Sequence, residues 1–351
     1  VHAGIILEMT RIGIDCRFAS ESIGLGTYTR NIVKGLLSSG SPYVLFVRST
    51  SEDWIKELSG QFELVETAYP HYSVAEQVQF PATIKRSGID LLYSPHFNVP
   101  YVCPVPYVVT IHDLILHRFP NNTSKLKQVA YRSLMRRAVA KSSHIICVSE
   151  FTKSEVLSEY GNSHSSKATV VTEGFDKAFR KTEDKDILDF YDLTPGYFLY
   201  VGAAKQHKNV QKLIDAHIMS GVTSPLIIVT NGKEVDRLQI CDTTRILLGV
   251  EHEELSALYT SAACFVTASE YEGFCLPILE ARACGCPVIA RNASAIPEVA
   301  GDHALLIDES HESLIMAFRN PPKQSDIPEQ KYDWEKSADQ ISAILQSALH
   351  G

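Results

Sequence analysis

The stretch that says most about the fold reads SEYEGFCLPILEARACGCP and covers residues 269–287. The apolar run before it, 264–267, has the composition of a buried strand, and a glycine-containing turn follows. Pro277 stands where a helix should begin, and Gly285 stands where that helix should end. A second apolar run, 287–290, comes next. The stretch therefore predicts strand, turn, helix and strand in close succession, the repeating unit of an α/β sheet.

The start of this helix is also a predicted anion site. The amides of Phe274, Cys275 and Leu276 would be left without partners at the helix N-terminus, where the helix dipole favours negative charge. Glu272 lies just before that point, and Glu280 lies about one turn inside the helix. Carboxylates beside a phosphate are costly unless they accept hydrogen bonds from sugar hydroxyls. The local chemistry therefore indicates a phosphorylated sugar as the ligand.

Similar alternation of apolar runs and helical stretches extends along the whole chain. The other predicted strands are 11–16, 43–47, 91–93, 107–111, 145–148, 197–201, 226–230 and 246–248. Their nearly uniform apolar composition is typical of parallel strands covered by helices on both faces. A polar stretch at 176–195 separates two such series and is interpreted as a linker. The pattern predicts two doubly wound α/β domains, with ligands at the carboxyl ends of their strands.

The bulk composition is consistent with two domains and excludes several classes of protein. The chain has 351 residues, 45% apolar and 21% charged, the balance of a soluble globular protein. Residues 1–8 are too short and too weakly basic for a secretory signal, and no apolar run approaches the roughly 18 residues of a membrane span. The net charge of −8 argues against a nucleic-acid binder. The eight cysteines form no C-x-x-C pair, so we expect free thiols in a reducing cytoplasm.

The stretch 269–287 resembles a known family signature. Glu272 and Glu280 are separated by seven residues, and the Glu-Gly-Phe and Leu-Glu-Ala elements around them match the E-x7-E signature of glycosyltransferase family 4. Members of this family have the GT-B fold. The resemblance implies an α/β protein with two Rossmann-like doubly wound domains facing a central cleft. The expected boundaries are 9–175 for the acceptor-side domain, 176–330 for the nucleotide-sugar domain, and 331–351 for a C-terminal helix that packs back towards the first domain.

The resemblance extends to candidate donor-binding residues. Gly273 and the amides of Phe274, Cys275 and Leu276 would bind the donor phosphates together with Lys208, the match to the family lysine that neutralises the leaving diphosphate. Many members carry an arginine where this chain has Ala203, and Lys205 is the candidate replacement. Glu272 would hold sugar hydroxyls, Glu280 would accept from the ribose, and Val250 would border the nucleobase.

Two further segments resemble family elements of the first domain. Ile23 to Tyr28 looks like the glycine-rich loop that approaches the donor phosphates, with Gly24 and Gly26 as the candidate residues. His112 follows the predicted strand 107–111 and would contact the transferred sugar, while Asp113 could orient it or place the acceptor. A lone histidine is otherwise usually structural.

Together these features predict a metal-independent hexosyltransferase that uses a UDP- or GDP-sugar of the glucose or mannose type and no cofactor, and the resemblance implies a retaining enzyme. Breaking the anomeric C–O bond creates a diphosphate leaving group, which positive charge and aimed amides stabilise. The Asp-x-Asp triplet at 184–186 lies in the polar stretch and is interpreted as solvated charge. The acceptor would be a glycan or a lipid-linked saccharide.

Alternative functions remain open at this point. A sugar-nucleotide epimerase could use the same fold, and a non-catalytic sensor could bind the donor without turnover. A nicotinamide-dependent oxidoreductase is disfavoured because the dinucleotide fingerprint is missing after the first strand. The basic helix 125–141 favours either peripheral contact with anionic lipid at the inner face of the membrane, or simply an amphipathic surface helix.

Overall fold

In the computed structural model of the protein, the described residues are 10–21, 24–38, 40, 42–120, 123–323 and 332–350. Ile23, in the predicted glycine-rich loop, and the predicted domain edges at residues 9, 330 and 331 lie outside them. The chain divides into two compact units. Unit 1 extends to Glu173 and resumes at Asp333, and unit 2 comprises Gly174–Tyr332.

The strands and helices alternate along both units. The strands are β1 Ile12–Asp15, β2 Tyr43–Val47, β3 Phe62–Glu66, β4 Leu91–Ser94, β5 Tyr107–Ile111, β6 His144–Cys147, β7 Ala168–Val170, β8 Phe198–Val201, β9 Leu226–Val229, β10 Thr244–Leu247, β11 Cys264–Thr267, β12 Val288–Arg291 and β13 Leu305–Ile307. The helices are α1 Leu25–Ser38, α2 Asp53–Lys56, α3 Val74–Ser87, α4 Ile115–Arg118, α5 Lys125–Lys141, α6 Glu150–Tyr160, α7 Lys185–Phe190, α8 Val210–Ser220, α9 Leu255–Ser261, α10 Leu276–Ala283, α11 Ile296–Ala300, α12 His311–Arg319 and α13 Trp334–His350.

Each unit contains one parallel sheet of the same topology. Among the described residues, the sheet of unit 1 has seven strands in the order β3-β2-β1-β4-β5-β6-β7. The described sheet of unit 2 has six, in the order β10-β9-β8-β11-β12-β13. In both, the order reverses beside the first strand, which defines a Rossmann-like doubly wound sheet. The prediction of two such α/β sheets is confirmed.

The predicted strands are present with small shifts, and the three that were missed are short or marginal. The strands β1, β2, β5, β8, β9 and β11 are buried and apolar, the feature on which their prediction rested. In contrast, β3 reads FELVE and is only half-buried at the edge of its sheet. At two of the other three edges, β7 and β13 have three residues each. Edge strands lack the uniform apolar composition that identifies central ones.

The interpretation of 176–195 as a linker is wrong. This stretch belongs to unit 2 and contains α7, which begins after Asp184. The Asp184 carboxylate accepts hydrogen bonds from the amides of Asp186 and Ile187, so it caps this helix. The amide of Thr182 donates to the hydroxyl of Thr260 at 3.0 Å. The stretch is therefore folded against its own unit, and the chain crosses between the units at 173/174 and 332/333.

The last helix, α13, packs on α1 within unit 1. A side chain at Gly35 would meet the Cβ of Ala338 at 2.4 Å, so the two helices approach more closely than a larger residue would allow. The buried ring of Trp334 lies edge-on to Tyr28, 5.7 Å between centroids. The hydroxyl of Ser337 donates to the carbonyl of Thr172. These contacts join the end of the chain to the first sheet.

Across the residues that the structure describes, none of the helices has the length and apolar character needed to traverse a bilayer. All eight cysteines are free thiols, and six of them are buried, whereas Cys103 and Cys241 are half-buried.

Candidate functional site

The candidate residues of unit 2 gather at the carboxyl ends of two adjacent strands. Lys208 follows β8, and Glu272 follows β11. These strands are neighbours at the point where the strand order reverses. At such a point the loops leave the sheet in opposite directions and open a crevice between them, where open α/β sheets bind their ligands.

Lys208 and Glu272 form an ion pair within this crevice. The Lys208 Nζ lies 2.5 Å from both carboxylate oxygens of Glu272. The side chains retain 23% and 12% of their exposure, so the pair is shielded but reachable from solvent. Because the ammonium and carboxylate charges cancel, the ion pair contributes no net charge at the carboxyl ends of these strands.

Three backbone contacts hold this pair in place. The amide of Glu270 donates to the carbonyl of His207 at 2.8 Å and so joins the two loops. Asn209 adopts a left-handed conformation (φ 53°), and its side-chain amide donates to the carbonyl of Ala268. The amide of Glu272 donates to the hydroxyl of Ser294, which follows β12. The pair is thereby positioned by three neighbouring strands, a rigid support for a binding site.

The start of α10 supplies unsatisfied amides next to Glu272. Within the described part of the chain, no hydrogen bond uses the amides of Phe274, Cys275 or Leu276. Pro277, one residue further, has no N–H to donate, as is common in the first turn. Cys275 has a left-handed backbone (φ 84°), which costs a non-glycine residue about 1 kcal/mol or more. This conformation lies immediately before the helix, at the predicted anion site.

Glu280 lies on the same helix in a different environment. Burial raises the pKa of Glu280 to about 7, although the hydroxyl of Tyr259 donates to it at 2.9 Å and His252 lies nearby. His252 itself is hydrogen-bonded to Asp176, and that bond raises the pKa of His252. The two glutamates of the signature thus differ: Glu272 is neutralised by an ion pair, and Glu280 is near its titration point.

The remaining candidates of unit 2 occupy the loops around these groups. Val250 follows β10 and Gly249, whose φ is +70°. It is two residues from His252, which interacts with Glu280. Lys205 is exposed and makes no ion pair with any described residue. It precedes the short 3-10 helix that carries Lys208.

In unit 1, His112 stands at the end of β5 between two acceptors. Its Nε2 donates to the carbonyl of Pro95 at 2.9 Å, and its Nδ1 lies 3.2 Å from the carboxylate of Glu173. Burial alone would lower the pKa of His112, but the hydrogen bond and charge of Glu173 outweigh it, so the pKa is raised. The edge of the ring meets Tyr28 at 4.5 Å. The geometry favours a protonated, fixed imidazole.

Asp113 and the two glycines have local roles that the structure makes explicit. The Asp113 carboxylate accepts from the amide of Ile115, two residues along the chain at the start of α4. Gly24 has φ +61°, and a side chain at Gly26 would lie 1.8 Å from the carbonyl of Glu21. The backbone conformation therefore favours glycine at Gly24, before α1, and close packing requires it at Gly26, in the first turn of α1, whatever the segment binds.

Two family models of glycosyltransferases match the chain. The family model described as "Glycosyltransferase Family 4" matches residues 23–179, and the one described as "Glycosyl transferases group 1" matches residues 181–340. The chain belongs to glycosyltransferase family 4. Among solved structures, sucrose-phosphate synthase from Thermosynechococcus elongatus superposes with a TM-score of 0.77 over 97% of this chain and 99% of that one. Its sequence identity is 17%, so this likeness concerns the GT-B fold.

Two curated relatives are closer in sequence to this family 4 chain. O-antigen chain mannosyltransferase B of Escherichia coli is 31% identical over 244 residues, 65% of this chain and 63% of that protein. O-antigen chain mannosyltransferase RfbU of Salmonella typhimurium is 28% identical over 238 residues, 65% of this chain and 64% of that protein. The matched region thus spans slightly less than two thirds of either relative.

Sequence reasoning missed several residues that act on the candidate residues of each unit. Glu173 follows the unpredicted strand β7, and the rule that singled out His112, a polar residue at the end of an apolar strand, would have identified it. Tyr259 and His252 reach Glu280 from other elements. The hydroxyl of Ser294, in the loop after β12, accepts from the amide of Glu272. No spacing pattern in the sequence identifies these three.

Two other features of unit 2 lie apart from these residues. An open groove of about 800 Å³ is lined by β13 and α12, with Arg291 and Glu309 paired at 3.1 Å beside it, and contains none of the candidate residues. The acidic triplet at 184–186 caps α7 rather than following a strand. Across the described residues, no group of three His, Cys, Asp or Glu side chains has the arrangement of a metal site.

Proposed function

We propose that this protein transfers mannose from GDP-mannose, with retention of configuration and without a metal ion, to a glycan or lipid-linked saccharide of a surface polysaccharide. The observation that carries the proposal is the group of Lys208, Glu272 and Glu280 around the start of α10, at the carboxyl ends of β8 and β11. The names of the two curated relatives favour mannose among the hexoses. A UDP-hexose such as UDP-glucose is the alternative donor.

Each part of the donor has a chemically suitable partner in unit 2. The diphosphate would accept from the amides of Phe274, Cys275 and Leu276 and from Lys208, which exchanges its partner Glu272 for the phosphates. The released Glu272 carboxylate would accept from hydroxyls of the mannose. Ionised Glu280 would accept from the ribose, with the base against the loop at Val250. Exposed Lys205 would add positive charge where other members have an arginine.

In the reaction, the bond between the anomeric carbon and phosphate oxygen breaks, and charge accumulates on the diphosphate. Lys208 and the amides would stabilise that charge, the largest single contribution expected in such a site. In unit 1, His112 is held rigidly by Glu173 and Pro95, so it would present a fixed imidazole to the transferred sugar. Asp113 would orient it or position the acceptor, and Gly24 and Gly26 would let the loop approach the phosphates. These positive groups would take the place of a metal ion.

We also propose that the protein acts in the cytoplasm, at the inner face of the membrane. On α5, exposed Lys125, Arg132 and Arg136 lie beside the apolar side chains of Leu126 and Val129, which are 80% and 67% exposed. A basic stripe next to exposed apolar side chains suits an anionic lipid surface.

Sedimentation with vesicles of phosphatidylglycerol and phosphatidylcholine tests this contact. We expect binding that increases with the phosphatidylglycerol fraction and is lost in a Leu126→Glu/Arg132→Glu variant. Binding that is independent of vesicle charge, or no binding, would contradict the membrane contact without affecting the transferase proposal.

Two rival functions differ from transfer in their products. An epimerase would change the sugar of the donor and release no nucleotide, and a sensor would bind the donor and leave it intact. The pairing of Lys208 with Glu272 favours transfer. It holds the Lys208 ammonium at the place where a leaving diphosphate would accumulate negative charge.

Nucleotide release without acceptor, in the presence of EDTA, tests the proposal. We expect slow GDP release from GDP-mannose, faster than UDP release from UDP-glucose and unchanged by EDTA. It should fall by about 100-fold in Glu272→Ala or Lys208→Ala and stay unchanged in Glu312→Ala, an exposed glutamate of α12. Preference for UDP-glucose would change the donor. An EDTA-sensitive rate would contradict metal independence, and conversion of the sugar without nucleotide release would favour the epimerase.

A further inference from the structure

A group of aromatic and imidazole rings gathers at the carboxyl ends of β1, β3 and β4 in unit 1. We call Phe18, His71, Tyr72, His96 and Phe97 the ring cluster. His71 stacks on Phe18 with centroids 3.8 Å apart and planes 7° from parallel. His96 packs on Phe18 and Phe97 at 4.7 and 4.1 Å. Tyr72 lies 6.3–6.4 Å from the other four and is 55% exposed. The cluster thus has a buried base and one exposed ring.

The buried rings retain unused hydrogen-bonding capacity. The side chain of His71 is only 11% exposed, and its Nδ1 lies 3.9 Å from the Glu76 carboxylate, yet neither ring nitrogen has a hydrogen-bond partner among the described residues. Burial lowers the pKa of His96 well below its usual range, so that ring is neutral. Its Nδ1 accepts from the amide of Asn98, which leaves the proton on Nε2, a donor with no partner in the described chain. Buried ring nitrogens without a hydrogen bond, such as those of His71, are rare in folded proteins and call for an explanation.

The position of the exposed ring is fixed by buried polar groups. Tyr72 has φ +59°, a conformation that non-glycine residues adopt only when neighbours enforce it. Its amide donates to the buried carboxylate of Glu76 at 2.6 Å. That carboxylate also accepts from Asn98 and pairs with Arg17, whose side chain is fully buried. A strained residue held by a buried ion pair indicates a position set for binding rather than for stability.

The charges around the ring cluster disfavour an anionic ligand. Arg17 is shared between the carboxylates of Asp15 and Glu76, so this buried group has one more negative than positive charge. Glu21 and Asp113 also act on the hydroxyl of Tyr72 and, after burial and Glu76, raise its pKa. A phosphate would therefore meet repulsion. Neutral hydroxyl groups, which both donate and accept, match the neutral imidazole of His96 and the ring nitrogens of His71.

We propose that the ring cluster is the subsite for a neutral sugar of the acceptor, with the apolar face of the sugar ring against Tyr72 and its hydroxyls bonded to His71 and His96. Aromatic rings with nearby polar groups suit such an amphipathic ligand. The ring of His96 lies 6.5 Å from that of His112, so the subsite adjoins the residue assigned to the transferred sugar. This assignment to the acceptor rests on the proposed transferase function.

Saturation-transfer NMR with neutral methyl glycosides tests the subsite directly. The probes are the methyl α-glycosides of mannose, glucose, galactose and N-acetylglucosamine, and the variants are Tyr72→Ala and His71→Phe. The phenylalanine keeps the stack on Phe18 and removes both nitrogens. We expect at least one glycoside to bind the wild type, with binding about tenfold weaker in each variant. The matched control is Phe190→Ala, which removes an exposed aromatic ring of unit 2.

The outcomes separate the subsite from the transferase proposal. Equal binding in all variants, binding of no glycoside, or displacement by inorganic phosphate would overturn the subsite. Melting temperatures within a few degrees of wild type exclude unfolding as the cause of a loss. If the glycosides behave as expected but no nucleotide sugar releases its nucleotide, the cluster binds sugar and the proposed transferase function fails. If nucleotide release occurs and the variants bind glycosides normally, the subsite alone is wrong.

Discussion

The environment of Glu280 predicts that donor affinity depends on pH. Burial raises the pKa of this carboxyl to about 7 in the free protein. A ribose diol donates hydrogen bonds, so it binds the ionised carboxylate better than the protonated acid. Donor binding therefore lowers the pKa of Glu280 and releases a proton. Donor affinity therefore increases as pH rises through the pKa of Glu280 in the free protein, and then reaches a plateau.

The size of the effect follows from the two pKa values. If binding returns the carboxyl from about 7 to its ordinary value of 4.5, about one free molecule in eleven is ionised at pH 6 and about half are at pH 7. The apparent Kd should then be about tenfold higher at pH 6 than at pH 9, and about twofold higher at pH 7.

Isothermal titration with GDP-mannose between pH 6 and 9 measures this dependence. The nucleotide sugar is preferred to GDP because its diphosphate, esterified at both ends, does not titrate in this range. Glu280→Gln should remove the dependence. His252→Gln should retain the dependence but move it to higher pH, because His252 lowers the pKa of Glu280. If the donor Kd of the wild type does not change with pH, or if its pH dependence persists in Glu280→Gln, then Glu280 is not the group responsible.

The same pKa predicts a stability effect. A carboxyl whose folded pKa exceeds its unfolded value stabilises the fold below about pH 4.5, and that contribution is lost as pH rises through about 7. Glu280→Gln should therefore be more stable than wild type at pH 8, by at most about 3 kcal/mol. It should show no advantage at pH 4. Thermal melts at the two pH values measure the difference, and an equal shift at both would contradict the assignment.

Three further substitutions test other contacts. Lys208→Ala should lower kcat about 100-fold and raise the donor Kd much less, because its charge acts mainly in the transition state; steady-state kinetics and titration that show equal losses would contradict this. Glu173→Gln should lower the pKa of His112, since this carboxylate contributes more to raising it than Pro95 and Asp113 do; an unchanged value by NMR titration would contradict this. Arg17→Met should lower the free energy of unfolding by about 3–5 kcal/mol, because two buried carboxylates lose their partner; denaturant unfolding indistinguishable from wild type would contradict that.

The sequence predicts the central strands because their composition is uniform. The runs 107–111 and 264–267 coincide with β5 and β11 to the residue. The edge strands β3 and β13 escape because their residues alternate or remain half-exposed. The prediction of a linker at 176–195 is wrong because Asp184 and its neighbours have the composition of solvated charge. In the structure, Asp184 caps a helix. Polarity alone does not distinguish a helix cap from a linker.

The site was predictable where one short segment carries it. Glu272, Glu280 and the amides between them lie within nine residues, so the local pattern describes their geometry. The partners from elsewhere were not predictable, because tertiary packing brings them together. Glu173 reaches His112 across 61 residues. The ring cluster joins residues that follow three different strands. No spacing rule encodes such contacts.

A crystal structure of the protein with bound GDP-mannose tests the central claim most directly. We expect the diphosphate against Lys208 and the amides of Phe274 to Leu276, with the ribose hydroxyls on Glu280 and the Lys208–Glu272 pair opened. A diphosphate bound elsewhere, for example in the groove beside Arg291, or a ribose without contact to Glu280, would contradict it.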